Sequence, residues 1–303
     1  MRVLVTGGTG FIGRALVERL LARGDSVTGL TRNAGKPGAR GVAWVEWDPR
    51  RAGAWQQAIA GHDAVVHLAG ETAAGRRYTP EVEREILESR VGSTERLIEA
   101  IHAAPGERRP RVFVCASGVG YYGNHDDDAR LDETAAAGSD FLARVCVEWE
   151  AAARAAESAG VRAVSMRIGF VLGRDGGALA RLVPIFKAFI GGPLGSGRQR
   201  VPWIHLTDVI GAFLHAIDHE ILRGPVNIAA PNGVTNKAFA RTLGSVLGRP
   251  SALPAPAFAL RILFGDGAEP ILGGQHAVPR ALLEAGYRFQ FPELEPALRD
   301  LLA

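Results

Sequence analysis

Short apolar runs rich in β-branched residues alternate with longer amphipathic segments through the first 170 residues. The runs are RVLVT, SVTGLT, VAWVEW, DAVVHLAG, RVFVCAS and RAVSMRI. Between them lie FIGRALVERLLARG and two longer helical patterns at residues 80–103 and 139–159. Strands that alternate with helices build βαβ units, in which a parallel sheet carries helices on both faces. The pattern therefore predicts an α/β fold with a doubly wound parallel sheet.

The regular alternation of strand and helix patterns ends after residue 170. Glycine pairs occur at 176–177 and 191–192, and GSG at 195–197. Further on, the segments WIHLTDVIGAFLHAI and VNIAA are followed by the proline-rich PSALPAPAF. The last 45 residues read as short helices separated by Gly and Pro. We therefore predict a core unit at residues 1–170, to which 201–230 return. Residues 171–200 and 231–303 are predicted to form a smaller, mostly helical C-terminal lobe that covers a substrate.

Composition and charge narrow the class of protein. With 303 residues, 47% hydrophobic and 22% charged, the chain can bury a sizeable core. The net charge is +3 and the basic residues are scattered, which disfavours a nucleic-acid partner. The two cysteines lack the spacing of a zinc site or a disulfide framework. MRVLVTGG does not resemble a signal peptide, and no window holds 18 apolar residues, so we expect a cytoplasmic protein without a membrane partner.

The motif VTGGTGFIGRALVERLL carries the strongest indication of a ligand. Gly7, Gly10 and Gly13 stand three apart between a predicted strand and a predicted helix. Glycines there allow a tight turn and let backbone N–H groups approach a pyrophosphate at the helix N-terminus. The alternative is a glycine-rich turn without a ligand. The sequence predicts a Rossmann-type dinucleotide site, with Gly7, Thr9, Gly10, Phe11, Ile12 and Gly13 in contact with the cofactor.

The end of the second strand indicates which dinucleotide is bound. An acidic residue there would hold the ribose of NAD, but the chain has Arg32, with Lys36 close behind. A guanidinium can pair with the 2′-phosphate, so NADP(H) is favoured over NAD(H); the alternative is a solvated loop charge. Asp48 is placed to border the adenine. Three residues after the fourth strand should line the cofactor: Leu68, Ala69 and Gly70.

With TGGTGFIG, VVHLAGE, VCASGVGYYG, RIGFVLG and WIHLTDV in this order, the chain resembles the extended short-chain dehydrogenase/reductase superfamily. It is most similar to the epimerase-like branch of atypical members, whose C-terminal tail is matched by ILGGQHAVPRALLEAGYRFQFPELEPALRDLL. The resemblance implies an NADP(H)-dependent oxidoreductase or epimerase acting on a small molecule. It also implies a homodimer formed through helices 80–103 and 139–159.

The catalytic machinery that the resemblance implies is incomplete. Members of the superfamily place Tyr and Lys at i and i+4 of a helix, so that the cation lowers the pKa of the phenol. In SDFLARVCVEWEAAAR these two places fall on Phe141 and Val145, or, one residue along, on Leu142 and Cys146. Neither pair can donate a proton as Tyr does. Cys146 is either a thiolate facing the cofactor or, as we favour, a small core residue.

Other residues are candidates for the missing chemistry. Ser117 ends the fifth strand, and Tyr121 and Tyr122 follow on a Gly-rich segment, where either phenol can bind a substrate or pack inward. Glu71 is a candidate general base or hydroxyl ligand, with a structural bond near Arg90 as the alternative. Two arginines are candidate cofactor ligands, namely Arg90 and Arg167, although Arg167 fits a sheet anchor better.

The substrate class and the activity stay open at this point. GSGRQRVPWIHLTDV puts Val201 and Pro202 where sugar-nucleotide enzymes have the Arg and Asp that precede this strand, which disfavours a nucleotide sugar. Asp208 is expected to cap the helix after WIHLT. We expect hydride transfer to a carbonyl or sugar-like small molecule. The alternative is a catalytically silent NADP(H)-binding sensor or interaction protein.

Overall fold

The computed structural model describes residues 1–35, 39–73, 75–125 and 128–303. The strands in this part of the chain are β1 (Arg2–Thr6), β2 (Ser26–Thr31), β3 (Val42–Glu46), β4 (Ala64–His67), β5 (Val112–Gly118), β6 (Arg130–Leu131), β7 (Arg162–Ile168), β8 (Phe170–Gly173), β9 (Gly176–Gly177), β10 (Arg200–Val201), β11 (Trp203–His205), β12 (Gly224–Ile228), β13 (Val234–Thr235) and β14 (His276–Ala277). The α-helices are α1 (Phe11–Ala22), α2 (Pro80–Leu87), α3 (Ser93–Ala103), α4 (Phe141–Arg154), α5 (Leu179–Lys187), α6 (Leu206–Asp218), α7 (Asn236–Leu247), α8 (Ala257–Phe264), α9 (Glu269–Leu272), α10 (Arg280–Glu284) and α11 (Leu294–Leu302).

A parallel sheet forms the centre of the molecule. Within the described ranges it has seven strands in the order β12-β7-β5-β4-β1-β2-β3, and every neighbouring pair is parallel. β1 lies between β2 and β4, with Val3 opposite both Val27 and Ala64. The central strands are buried on both faces, which is why their sequences are almost continuously apolar. The predicted α/β, doubly wound fold is confirmed.

Two helical layers cover the sheet. Side chains of β1 alternate between them, because successive residues of a strand point to opposite faces. Val3 and Val5 join a core that includes Leu16 of α1 and Phe213 of α6. Leu4 points the other way, into a core that includes Leu97 of α3 and Trp149 of α4.

The two long helical patterns differ from the expected continuous helices. Residues 80–103 form α2 and α3, joined by a π-helical turn at Glu88–Gly92. π-Helical turns inside helices often accompany functional sites, and this one carries Arg90. The pattern at 139–159 forms α4, which begins when the Asp140 carboxylate accepts a hydrogen bond from Ala143 N, and continues as a 3₁₀ turn at Ala155–Ala159.

Much of the remaining chain forms a third core. β8, β9 and β11 make a small sheet, and β10 pairs with β13. α5, α7 and α11 contribute Phe186, Phe239 and Leu298 to the buried cluster beside them. β12 joins the edge of the main sheet, whereas Leu282 of α10 is buried in the core of the α1 and α6 layer. The tail therefore contacts both parts, and the division at 170, 201 and 230 stays a prediction.

Asp208 does not have the expected capping role. α6 begins at Leu206 with His205 as its N-cap, so the prediction for Asp208 is wrong. The carboxylate is 1% exposed and accepts hydrogen bonds from Gln290 N (2.7 Å) and Phe291 N (2.9 Å). It therefore holds the tail against α6.

None of the helices in the described part of the chain combines the length and the apolar character needed to cross a bilayer.

Candidate functional site

The glycine-rich turn lies at the carboxyl end of β1 and leads directly into α1. Gly10 N donates to Gly7 O over 2.9 Å, and Gly7 has φ +68°. A Cβ at Gly13 would lie 2.1 Å from Gly7 O, and one at Gly7 would lie 2.7 Å from the carbonyl carbon of Leu68. Backbone atoms cannot move aside for such contacts, so these two positions require glycine. The turn thereby packs against both α1 and the chain that leaves β4.

The amino end of α1 has no protein cap. Its N-cap is Gly10, which has no side chain to accept hydrogen bonds, and the first turn contains no acidic residue. The first N–H groups of a helix have no partner within the helix and lie at the positive end of its dipole. Within the described chain, Thr9 and Gly10 are exposed and Phe11 and Ile12 are half-buried. The turn therefore presents unpaired donors, an arrangement that suits an anion.

Phe11 also connects the turn to the lobe. Its ring occupies the space in which Cβ atoms at Gly173 and Gly176 would lie, 2.4 Å from ring atoms in both cases. The ring therefore lies flat against the backbone at the end of β8. This contact places the hairpin of β8 and β9 beside the anion-accepting turn.

The ends of β1 and β4 are tied together beneath the turn. Thr6 Oγ1 accepts hydrogen bonds from Leu68 N and Ala69 N, both over 3.2 Å. The fully buried His67 is hydrogen bonded to Thr6 Oγ1 at 2.6 Å and to Ser93 Oγ at 3.0 Å. Burial, with a smaller effect of the Arg90 charge, lowers the His67 pKa to about 3, so the ring is neutral. Leu68 and Ala69 are thus fixed beside Gly7, and their contact with the cofactor stays a prediction.

Arg32 lies at the predicted end of β2 and meets Glu71. Its Nη1 is 3.0 Å from Glu71 Oε1, with side-chain exposures of 75% for Arg32 and 35% for Glu71. Lys36 lies outside the described residues. Asp48 follows β3, is exposed, and accepts a hydrogen bond from Arg50 N. The structure thus pairs two residues that the sequence had assigned to different roles.

Arg90 holds the backbone that follows β4. Its Nη2 donates to Glu71 O over 2.8 Å, and its guanidinium carbon lies 5.3 Å from the centre of the Trp149 ring. A Cβ at Gly70 would lie 3.5 Å from that carbon, so glycine brings the strand end close to the cation. Glu71 was predicted to be either a general base or a partner of Arg90 in a structural bond. The structural bond is present, through the main-chain oxygen of Glu71, and the Glu71 carboxylate contacts Arg32.

Ser117, Glu150 and Arg167 form a buried network behind the site. The Ser117 hydroxyl donates to Glu150 Oε1 over 2.8 Å, and Arg167 donates to both carboxylate oxygens over 2.8 Å. Ser117 and Glu150 are 5% exposed and Arg167 is 2% exposed. Burial alone would lower the pKa of the guanidinium, but the bonds and charge of Glu150 raise it above its ordinary range. Arg167 is therefore a structural anchor, and its donors are engaged by Glu150 and Tyr122, which does not fit its placement among the cofactor ligands.

The two adjacent tyrosines have different environments. Tyr122 is 1% exposed, and its hydroxyl donates to Asn227 Oδ1 (2.7 Å) and accepts from Arg167 Nη1 (2.9 Å). Burial raises its pKa to about 12. The hydroxyl is fully engaged, which does not fit the catalytic role predicted for Tyr122. Tyr121 is half-buried and its ring lies over the Arg167 guanidinium, whose carbon is 3.3 Å from the ring centre. Tyr121 is therefore the more exposed of the two phenols.

The structure decides the register of α4. A Cβ at Gly120 would lie 3.6 Å from Leu142 Cβ, and one at Gly118 would lie 3.8 Å from Cys146 Sγ. Leu142 and Cys146 thus face the end of β5 and the segment that follows it, two turns and one turn before Glu150, respectively. Burial raises the pKa of the Cys146 thiol to about 11, so it is not a thiolate at neutral pH. This agrees with the favoured interpretation of Cys146 as a core residue.

Tyr78 is a residue that the sequence reasoning missed. It precedes α2, and its ring packs against Phe141 with centres 5.3 Å apart. Its hydroxyl is buried and, among the described residues, has no hydrogen-bond partner; burial raises its pKa to about 12. No sequence motif includes this position, and a single Tyr in RRYTPE is typical of an ordinary loop. It places a second phenol near the helix that lacks the usual Tyr.

Comparison with known proteins places this geometry in a family. Residues 3–229 match the NAD dependent epimerase/dehydratase family, and residues 255–301 match a domain of unknown function, DUF1731. The chain belongs to the NAD dependent epimerase/dehydratase family. Among relatives of this epimerase family, the Arabidopsis thaliana "Epimerase family protein SDR39U1 homolog, chloroplastic" is 41% identical over 100% of this chain and 87% of its own length. The Homo sapiens "Epimerase family protein SDR39U1" is 40% identical over the full length of both chains.

Solved structures of this epimerase family have the same architecture. The crystal structure of the human epimerase family protein SDR39U1 (isoform 2) with NADPH has a TM-score of 0.88 and 38% identity, covering 99% of both chains. The nucleoside-diphosphate sugar epimerase from Corynebacterium glutamicum has a TM-score of 0.81 and 31% identity, covering 99% of this chain and 58% of its own. The predicted resemblance to the epimerase-like branch and its tail is confirmed.

Proposed function

We propose that this epimerase-family protein binds NADP(H) and transfers hydride to a carbonyl or sugar-like small molecule. The observation that carries the proposal is the uncapped start of α1, held against β1 and β4 by two positions that only glycine can occupy. Unpaired N–H groups in such a cradle suit a pyrophosphate. The human relative crystallised with NADPH supports the same cofactor.

The other cofactor contacts follow from the ends of the strands. Arg32, exposed after β2, would hold the 2′-phosphate, and Asp48 would border the adenine. Leu68, Ala69 and Gly70 would line the middle of the cleft, with Arg90 fixing their backbone. The reduced nicotinamide, when bound, supplies the hydride.

Tyr121 is the residue that we propose as proton donor to the reduced oxygen. Its ring is held over the buried Arg167 guanidinium, while the hydroxyl of its neighbour Tyr122 is already engaged. A guanidinium on the ring face stabilises the phenolate that forms when the proton leaves. Ser117 would polarise the same oxygen once its single hydroxyl proton turns from Glu150 Oε1 to the substrate.

Residues of the C-terminal lobe argue against a nucleotide-sugar substrate. Val201 and Pro202 stand at the places that clasp the diphosphate in sugar-nucleotide enzymes, and the nearby Arg200 is paired with Asp128 at 2.7 Å. Arg200 is only 25% exposed and gives two hydrogen bonds to one carboxylate, whereas Arg32 is 75% exposed and gives one, so Arg200 is a poor second clasp. We therefore propose a small carbonyl substrate without a nucleotide.

One observation favours a second candidate function. Leu142 and Cys146 face the segment after β5 where the superfamily's Tyr and Lys would stand, and neither side chain is an acid at neutral pH. A chain that binds NADP(H) without turnover would serve as a sensor or interaction protein.

Binding is tested first by fluorescence titration of NADPH and NADH. We expect NADPH to bind at least tenfold more tightly, and Arg32→Ala to remove most of that difference because a charge-assisted pair with phosphate is lost. Arg223→Ala changes an exposed arginine away from the turn and should leave the ratio unchanged. Equal affinities for the two coenzymes in the unmodified protein would contradict the proposed choice of cofactor.

Turnover is tested by NADPH oxidation against a panel of small carbonyl compounds. Tyr121→Phe should lower kcat about 100-fold, the usual contribution of a general acid. Tyr122→Phe is the matched control and should lower stability while kcat changes little. Tight NADPH binding with no oxidation across the panel would favour the sensor.

A further inference from the structure

Two segments of the lobe, residues 176–207 and 234–265, carry charge of one sign. Together they contain eight basic residues and no Asp or Glu, although the whole chain has 35 Lys and Arg against 32 Asp and Glu. The eight are Arg181, Lys187, Arg198, Arg200, Lys237, Arg241, Arg249 and Arg261. The small net positive charge of the protein is thus concentrated on part of its surface.

Most of these cations face solvent without a carboxylate partner. Arg200 pairs with Asp128, and Arg261 pairs with Glu269. Within the ranges that the structure describes, the other six form no ion pair, and all six are exposed. The positive charge is therefore available to an external partner.

The same two segments expose large apolar side chains. Seven have between 42% and 71% of their surface exposed: Ile185, Phe189, Ile190, Leu253, Phe258, Ile262 and Leu263. The helix α8, with the sequence AFALRILF, has no buried residue among its described positions. An apolar helix on a folded surface indicates an interaction site, because isolated proteins rarely expose large apolar patches.

The segments are joined into one surface, which we call the lobe face. Ala255 N donates to Pro193 O and Gly195 N donates to Ala255 O, both over 2.9 Å, so the chain before α8 runs beside the chain after α5. Phe189 has φ +64°, a strained value for a bulky residue, and its ring lies 4.8 Å from the Arg249 guanidinium carbon. An apolar side chain of one segment thus meets a cationic side chain of the other.

We propose that the lobe face docks peripherally on an anionic lipid bilayer. Apolar side chains enter the boundary between head groups and acyl chains, while lysines and arginines meet lipid phosphates. A second copy of this chain fits less well, because a two-fold interface would oppose the same cations to one another. The proposal departs from the sequence prediction of no membrane partner, although it requires contact with a bilayer and no spanning helix. It does not depend on the proposed catalytic function.

Sedimentation of the full chain with lipid vesicles tests the proposal. Vesicles of phosphatidylcholine with about 30% phosphatidylglycerol should bind the protein, pure phosphatidylcholine should bind it at least tenfold more weakly, and about 0.5 M salt should reduce binding. The double variant Phe258→Ser and Ile262→Ser should weaken binding at least fivefold. Ile221→Ser is the matched control, since Ile221 is 68% exposed and lies outside both segments.

A charge-reversal variant provides a second measurement that does not touch α8. Lys187→Glu with Arg249→Glu should weaken binding at least fivefold, whereas Arg223→Glu should change it less than twofold. Absence of binding to the anionic vesicles, or equal losses in the control variants, would overturn the proposal. So would a dimer in sedimentation equilibrium that dissociates in the Phe258 and Ile262 variant without any vesicle binding, because the lobe face would then belong to a second copy.

Discussion

The buried pair of Glu150 and Arg167 allows a quantitative test of how this site is supported. Glu150→Gln keeps the size of the side chain but removes the charge that faces Arg167, leaving a guanidinium that is 2% exposed without its counter-charge. Breaking a buried pair by removing one partner typically costs about 3–5 kcal/mol. The glutamine amide keeps one oxygen for Ser117 and Arg167 Nε, but its NH2 group cannot accept from Arg167 Nη2, which adds to the same effect.

The expected change in melting temperature follows from the size of the chain. An unfolding entropy of about 2.1 cal/mol/K per residue gives about 0.6 kcal/mol/K for a protein of this length. Glu150→Gln should therefore lower Tm by roughly 5–8 °C in differential scanning calorimetry. Glu148→Gln is the matched control, because Glu148 is exposed on the same helix, and it should shift Tm by less than about 1 °C.

A second variant separates the loss of charge from the loss of packing. Glu150→Leu combined with Arg167→Met should recover part of the lost stability, since apolar replacements of a buried pair are often neutral. Should Glu150→Gln shift Tm no more than Glu148→Gln does, the pair is solvated and the argument for a rigid support beneath Tyr121 fails.

Three further predictions concern the turn and its surroundings. The pKa of His67 is about 3 in the folded state and about 6.5 in the unfolded state, so between these pH values only the unfolded state binds the proton and stability is lost as the pH falls. In urea titrations, His67→Gln should reduce the slope of the unfolding free energy against pH by up to about 1.4 kcal/mol per pH unit. The control variant His102→Gln should leave that slope unchanged. Cys146 should react with a disulfide reagent at pH 8 far more slowly in the native protein than in urea, and rapid native labelling would support a thiolate instead. Gly13→Ala should abolish NADPH binding in a titration, because the added Cβ would meet the backbone of Gly7. Gly106→Ala is the control and should leave binding unchanged, since no atom lies within 4 Å of its added Cβ. Retained binding in Gly13→Ala would refute the close packing of the turn.

The sequence predicted those features that depend on local pattern. The β-branched runs identified the central strands, because a strand buried on both faces must be apolar along its whole length. Gly13 was recognisable because its close backbone contacts, with Gly7 and Gly8, lie within one turn of chain, whereas the contacts of Gly7 are with the distant Leu68 and Ala69. Arg32 was placed correctly at the end of β2, since strand ends meet at one edge of a parallel sheet.

Features that depend on contacts between distant segments could not be predicted in the same way. The pairing of Arg32 with Glu71 joins residues 39 positions apart. Tyr121 and Tyr122 are neighbours of the same type, and only the hydrogen bonds of Asn227 and Arg167 with the Tyr122 hydroxyl separate their roles. The two registers of α4 differ by a single residue, and only the contacts of Cys146 with the segment after β5 decide between them.

The carboxylate of Asp208 has a consequence for how this protein is divided. The two family matches, 3–229 and 255–301, suggest a boundary, yet Asp208 of the first receives backbone bonds from Gln290 and Phe291 of the second. Cutting the chain between the matches would take the Tyr287, Gln290 and Phe291 donors away from Asp208 and uncover the core in which Leu282 is buried. Each part therefore completes the other's interior, and we expect the two matched regions to fold as one unit.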